Sequence, residues 1–125
     1  MRILLDTHVF LWAVSGNRRL RADARRRIES ADEVHVSAAS LWEIAIKSRL
    51  GKIDADPSEL AMAIGDSGFD ALSVNVAHTI ELARLPLLHG DPFDRLLISQ
   101  AIVERMQLLT ADEALLQYGE FVMTV

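Results

Sequence analysis

Four acids stand where strands are expected to give way to helices: Asp6, Glu43, Asp94 and Asp112. Asp6 ends the apolar run Ile3-Leu4-Leu5, Glu43 closes Ser40-Leu41-Trp42-Glu43, Asp94 closes Asp91-Pro92-Phe93-Asp94, and Asp112 closes Thr110-Ala111-Asp112. Carboxylates brought together raise one another's pKa unless a cation joins them. The chain has no cysteine and its four histidines lack zinc-ligand spacing, so the donors are oxygens, which select a hard ion such as Mg²⁺ or Mn²⁺. A site of that kind holds phosphate oxygens and activates water, so the expected chemistry is phosphodiester hydrolysis. Asp6 and Asp94 are the expected direct ligands. Glu43 and Asp112 would complete the site directly or through water, and Thr110 would orient a carboxylate, with Thr7, Ser40 and Asp91 in support.

Each acid also has a purely local explanation. Asp91 suits an N-cap and Pro92 the first helical position, which leaves Asp94 as a first-turn acid favoured by the helix dipole. Ser40-x-x-Glu43 and Thr110-x-x-Glu113 both have capping-box spacing, and Glu43 has Lys47 one turn on. Asp6 alone follows no cap pattern that needs it. If it only adds repulsion to a crowded site, Asp6→Asn should leave stability unchanged or raised.

The elements that position these residues alternate. Short apolar runs around Ile3, Val34, Phe69, Leu108 and Val122 read as strands. Helical periodicity is expected from Thr7 to Ser15, Leu20 to Ala31, Ser40 to Leu50, Pro57 to Ser67, after Asn75, and after Asp91, with a short helix from Asp112. This order predicts an α/β domain spanning residues 1–125, a parallel sheet flanked by helices. Its strand-to-helix junctions lie along one edge, where open α/β folds build their sites. No segment approaches the roughly 20 apolar residues of a membrane span, and the lack of cysteine suits a reducing cytoplasm.

Several other signals are discounted. Gly65-Asp66-Ser67-Gly68 reads as a helix terminator, and Gly51-Lys52 lacks the first glycine and the Ser/Thr of a P-loop. Trp12 and Trp42 read as core or interface before base stacking, and His8 and His89 as packing or hydrogen-bonding residues.

Leu4-Leu5-Asp6-Thr7-His8, Ser40-Leu41-Trp42-Glu43-Ile44, Asp91-Pro92-Phe93-Asp94-Arg95-Leu96-Leu97-Ile98 and Leu109-Thr110-Ala111-Asp112 occur in order along the chain. Together they resemble the signature blocks of the PIN-domain family, and within it the VapC-type toxins of toxin–antitoxin pairs. The resemblance covers essentially the whole chain. It implies a parallel sheet with flanking helices, a Mg²⁺-dependent endoribonuclease whose acids are Asp6, Glu43, Asp94 and Asp112, inhibition by a cognate antitoxin, and dimerisation or toxin–antitoxin hetero-oligomers. Gly90 departs from the basic residue expected before the Asp-Pro-Phe-Asp run, which bears on RNA contacts and not on the metal site.

Net charge is −5, which argues weakly against non-specific nucleic-acid binding. Yet Arg18, Arg19, Arg21, Arg25, Arg26 and Arg27 face only Asp23 in their stretch. Arg21, Arg25 and Arg26 lie off the stripe of Leu20, Ala24 and Ile28, free for RNA phosphates, an antitoxin or solvent; Arg95 is a further candidate contact. Two competing functions stay open. One is a PIN-like binding module without catalysis, against which the four acids argue. The other is a domain phosphorylated on Asp6, against which the absence of any lysine after Lys52 argues.

Overall fold

Alternation along the strands sets the layers. In the computed structural model, which describes residues 1–125, β1 (Arg2–Leu5) sends Ile3 and Leu5 to one face of the sheet and Leu4 to the other. Successive strand side chains must point to opposite faces, so an uninterrupted apolar run implies cover on both. Helices α1 (Thr7–Ser15) and α2 (Ala22–Ser30) follow, then β2 (Glu33–Ser37), α3 (Ala38–Arg49), α4 (Pro57–Asp66), β3 (Asp70–Leu72), α5 (Val76–Arg84), α6 (Pro92–Glu104) and β4 (Gln107–Thr110). A 3-10 helix (Glu113–Tyr118) and β5 (Val122–Thr124) end the chain. The order across the sheet is β3-β2-β1-β4-β5, every pair parallel. The expected parallel sheet with flanking helices is what the chain forms.

One face packs Ile3, Leu5, Val34, Val36 and Leu109 against Val9 and Phe10 of α1, Ala24 and Ile28 of α2, Ile44 and Ile64. The other packs Leu4, Leu108 and Val122 against Leu97, Ile98 and Ala101 of α6 and Leu115. The chain moves outward from β1 to β2 and β3, then crosses to β4 and β5. β1 and β4 therefore flank the switch point, and the ends of both open into one crevice. Register makes this concrete: Leu5 pairs with Leu109, and Asp6 N donates to Leu109 O at 3.0 Å. Asp6 and Thr110 are thereby neighbours across the two central strands.

Some boundaries differ from expectation, for reasons of side-chain chemistry. Helix α3 begins at Ala38, because Ser37 and not Ser40 is the N-cap, accepting from Ala39 N at 3.0 Å. Strand β3 is only three residues long. Asn75 turns the chain out of the sheet: its side chain accepts from His78 N at 3.2 Å, and its own N–H donates to His78 Nδ1 at 3.0 Å. Asp112 caps the last helical turn and is not inside it, accepting from Ala114 N at 2.9 Å.

Arg95 and Arg25 also leave the list of free cations. The Arg95 guanidinium donates to Pro86 O at 2.9 Å, Tyr118 Oη at 3.2 Å and Leu85 O at 3.5 Å, tying the α5–α6 connection to the 3-10 helix. Arg25 donates to Asn17 O at 2.8 Å and Leu20 O at 3.1 Å, bracing the α1–α2 loop. Hydrogen bonds to charged groups contribute about 1.5–3 kcal/mol. Arg95→Leu is accordingly expected to lower unfolding free energy by roughly that amount in a urea titration, and an unchanged midpoint would show that the strut carries no load. Arg21 and Arg26 remain exposed.

Candidate active site

Asp6 is 4% exposed, and its burial alone pushes the carboxyl pKa up. Three hydrogen bonds oppose that. Oδ1 accepts from Val9 N at 2.8 Å; Oδ2 accepts from Thr110 Oγ1 at 2.6 Å and Ala111 N at 3.0 Å. The Val9 contact makes Asp6 the N-cap of α1, a role the sequence had not suggested, and it leaves Asp6 spanning the switch point. Thr110 is held in turn, accepting from Asp112 N at 3.0 Å.

Glu43 sits on the first turns of α3, 5% exposed. Its Oε1 accepts from Thr7 Oγ1 at 2.7 Å and its Oε2 from Lys47 Nζ at 2.7 Å. Ser40, one turn before Glu43 on the same helix, shares a 3.0 Å hydrogen bond with Thr7. Thr7 and Ser40 thus dock α1 on α3 and aim Glu43. Lys47 has its pKa raised, mainly by Glu43.

On α6, Asp91 is the N-cap and Pro92 the first residue, as the sequence indicated; Asp91 Oδ1 accepts from Asp94 N at 3.0 Å. That bond fixes the Asp94 backbone and turns its side chain toward the crevice. Asp94 is pushed up to about 7, first by desolvation and then by the charges of Asp91, Asp6 and Glu43. His89 Nε2 lies 3.7 Å from Asp94 Oδ2, and the ligand atoms of Asp94, His89 and Asp112 all lie within 4.8 Å of one another.

His89 takes the hydrogen-bonding role expected of it, and takes it among the acids. Its Nε2 lies 2.9 Å from Asp112 Oδ2, and its Nδ1 accepts from Asp91 N at 3.0 Å. An accepting Nδ1 fixes the Nε2–H tautomer, so His89 donates to Asp112. That bond lowers the Asp112 pKa and raises that of His89. Full protonation of His89 would bring a second N–H against that of Asp91. The available signal was its place two residues before the Asp91 cap.

The structure therefore brings Asp6, Glu43, Asp91, Asp94 and Asp112 to one open cleft of about 430 Å³, which also takes in His8, Trp12, Arg19 and Lys47. Arg21, Arg25 and Arg26 do not line it. An Asp94 carboxyl that holds its proton up to about pH 7 marks a site where burial and neighbouring carboxylates both oppose its charge. The under-coordinated Asp94 oxygens, beside an Asp6 carboxylate held only by neutral donors, make an all-oxygen set suited to a hard divalent cation.

The family described as PIN domain matches residues 3–120. This chain belongs to the PIN-domain family. The domain is 34% identical over 119 residues to Ribonuclease VapC22 of Mycobacterium tuberculosis, covering 90% of this chain and 88% of the relative. Two solved structures share the PIN fold across its length. The VapBC2 complex of Rickettsia felis bound to a promoter DNA fragment has a chain aligned at TM-score 0.72 and 15% identity, covering 100% of this chain and 98% of that one. A toxin–antitoxin complex from Klebsiella pneumoniae aligns at TM-score 0.70 and 18% identity, covering 98% and 96% respectively. No helix of this PIN domain is long and apolar enough to cross a membrane.

Proposed function

We propose that this PIN domain is a ribonuclease of the VapC toxin type that hydrolyses RNA phosphodiester bonds with a divalent cation, Mg²⁺ or Mn²⁺. Asp6 and Asp94 would hold the ion, with Glu43 and Asp112 completing the site. The observation that carries this reading is the convergence of five acids on one cleft, where burial and neighbouring charges lift Asp94 to about 7, in a chain 34% identical to a protein named as a ribonuclease. When bound, such an ion supplies Lewis acidity toward phosphate and water.

The protein's own contribution is orientation. Thr110 and the Ala111 N–H fix the Asp6 carboxylate. Thr7 and Lys47 hold the two Glu43 oxygens, and His89 holds Asp112. Charged ligands pinned by such neighbours do not have to reorganise as charge develops on the phosphate. A cognate antitoxin is the proposed partner, with a homodimer or toxin–antitoxin hetero-oligomer as the assembly and the cytoplasm as the place of action.

The test is cleavage of defined RNAs by the purified protein with Mg²⁺ and with EDTA. Cleavage with Mg²⁺ that EDTA abolishes is expected. Cleavage equal in both would remove the ion from the reaction, and none in either would favour the non-catalytic binding module.

A further inference from the structure

The cleft poses a problem for the substrate proposed for it. Five carboxylates line it, and RNA is a polyanion. Of its two permanent cations, Lys47 is committed to Glu43 at 2.7 Å. The other is Arg19, exposed and without a carboxylate partner, whose guanidinium rests 6.0 Å above the ring of Trp12. That distance is the outer limit of a cation–π contact, so Arg19 is loosely seated. Trp12 lies one helical turn beyond His8 on α1, and their rings are 6.2 Å apart and tilted by 52°. Trp12 packs partly against the core, which braces the ring, while its remaining surface and the exposed His8 belong to the acid cleft. An aromatic ledge topped by a free arginine thus stands within two turns of Asp6 on α1.

Resting on the ribonuclease reading above, we infer that Trp12, His8 and Arg19 form a nucleotide subsite. Trp12 stacks on the base adjacent to the scissile phosphate of single-stranded RNA, and Arg19 pairs with a neighbouring backbone phosphate. Every base has a π-face, so stacking holds a strand with little dependence on sequence. The subsite also answers the charge problem, because it supplies affinity at the rim of a cleft whose floor repels the backbone. Arg19 replaces Arg21, Arg25 and Arg26 as the member of the basic stretch that meets substrate.

The test measures cleavage of a short labelled single-stranded oligoribonucleotide with Mg²⁺, together with copies carrying one abasic position each. Loss of a stacked base weakens binding by about 10-fold to 100-fold. Trp12→Leu is expected to raise KM by that factor with a smaller change in kcat, and Trp12→Phe to recover most of it. The abasic copy that most weakens the parent should cost Trp12→Leu nothing further. Arg19→Gln should flatten the salt dependence of binding by about 0.7 in the log–log slope. A folded Trp12→Leu protein with unchanged KM would overturn the subsite and leave the ribonuclease reading standing. If that variant fails to fold, Trp12 emission in a Trp42→Phe background decides. Quenching by the oligonucleotide in EDTA supports stacking, and its absence overturns it. A parent that cuts no RNA would end both readings.

Discussion

Asp94→Asn is expected to melt above the parent protein in EDTA at neutral pH while losing RNA cleavage on the order of 10²–10³-fold with Mg²⁺. Both effects come from one cause. The folded protein holds the Asp94 proton up to about pH 7, against an ordinary 3.8. Between those values the folded state keeps a proton that the unfolded state has lost, so parent stability falls as pH rises from about 4 and levels off above about 7. An asparagine carries no such cost and should flatten that part of the profile. Added Mg²⁺ should stabilise the parent through binding and the variant much less. Asp91→Ala is the informative neighbour. It removes the α6 cap, costing about 0.5–2 kcal/mol, but also the charge that contributes most, after desolvation, to raising Asp94. Melting temperatures over a pH series in EDTA check the claim; parallel profiles for parent and Asp94→Asn would refute it.

Asp6→Asn is expected to lose cleavage to a similar degree but to fall in stability by about 1–3 kcal/mol, the cost of leaving a buried donor unpaired. Relief of repulsion alone would make this change neutral or stabilising. The hydrogen bonds decide otherwise. Oδ1 serves the Val9 N–H and Oδ2 serves the Ala111 N–H. An amide has one oxygen, so in either orientation its NH₂ meets one of those backbone donors. Thr110 can rotate its hydroxyl, whereas the two backbone N–H groups cannot. Denaturant midpoints for Asp6→Asn and Asp94→Asn, compared in EDTA, should move in opposite directions; movement in the same direction would show that charge outweighs these bonds at Asp6.

That contrast marks where local pattern stops informing. Asp91, Pro92 and Asp94 were legible in full because a cap, a proline and a first-turn acid act within four residues. The strand at Ile3–Leu5 was legible because an apolar run needs cover on both faces. Ser40 was read as the cap because it alone has a glutamate three residues on, whereas its hydroxyl meets Thr7 of another helix and the cap is Ser37. The Thr110 bond to Asp6 crosses 104 residues, and the His89 bond to Asp112 crosses 23. Thr110 was expected to orient a carboxylate, but nothing near either residue in the chain names Asp6 as that carboxylate or Asp112 as the partner of His89. Arg95 looked like a free cation for the same reason, since its acceptors Pro86 and Tyr118 belong to other segments.

The central place of β1 has a consequence for how the protein is made. Synthesis runs from N- to C-terminus, so β1, its neighbour β2, Glu43 and Asp94 all exist before β4 has been translated. Until then β1 is an edge strand. Leu109 O is not there to receive the Asp6 N–H, Thr110 and Ala111 are not there to steady its carboxylate, and Asp112 has not been added. A nascent chain carries most of the acids without the arrangement, and the arrangement arrives with β4 and the residues that follow it. The acid cleft is therefore among the later parts of this domain to take shape, after α3 and α6 have both been made.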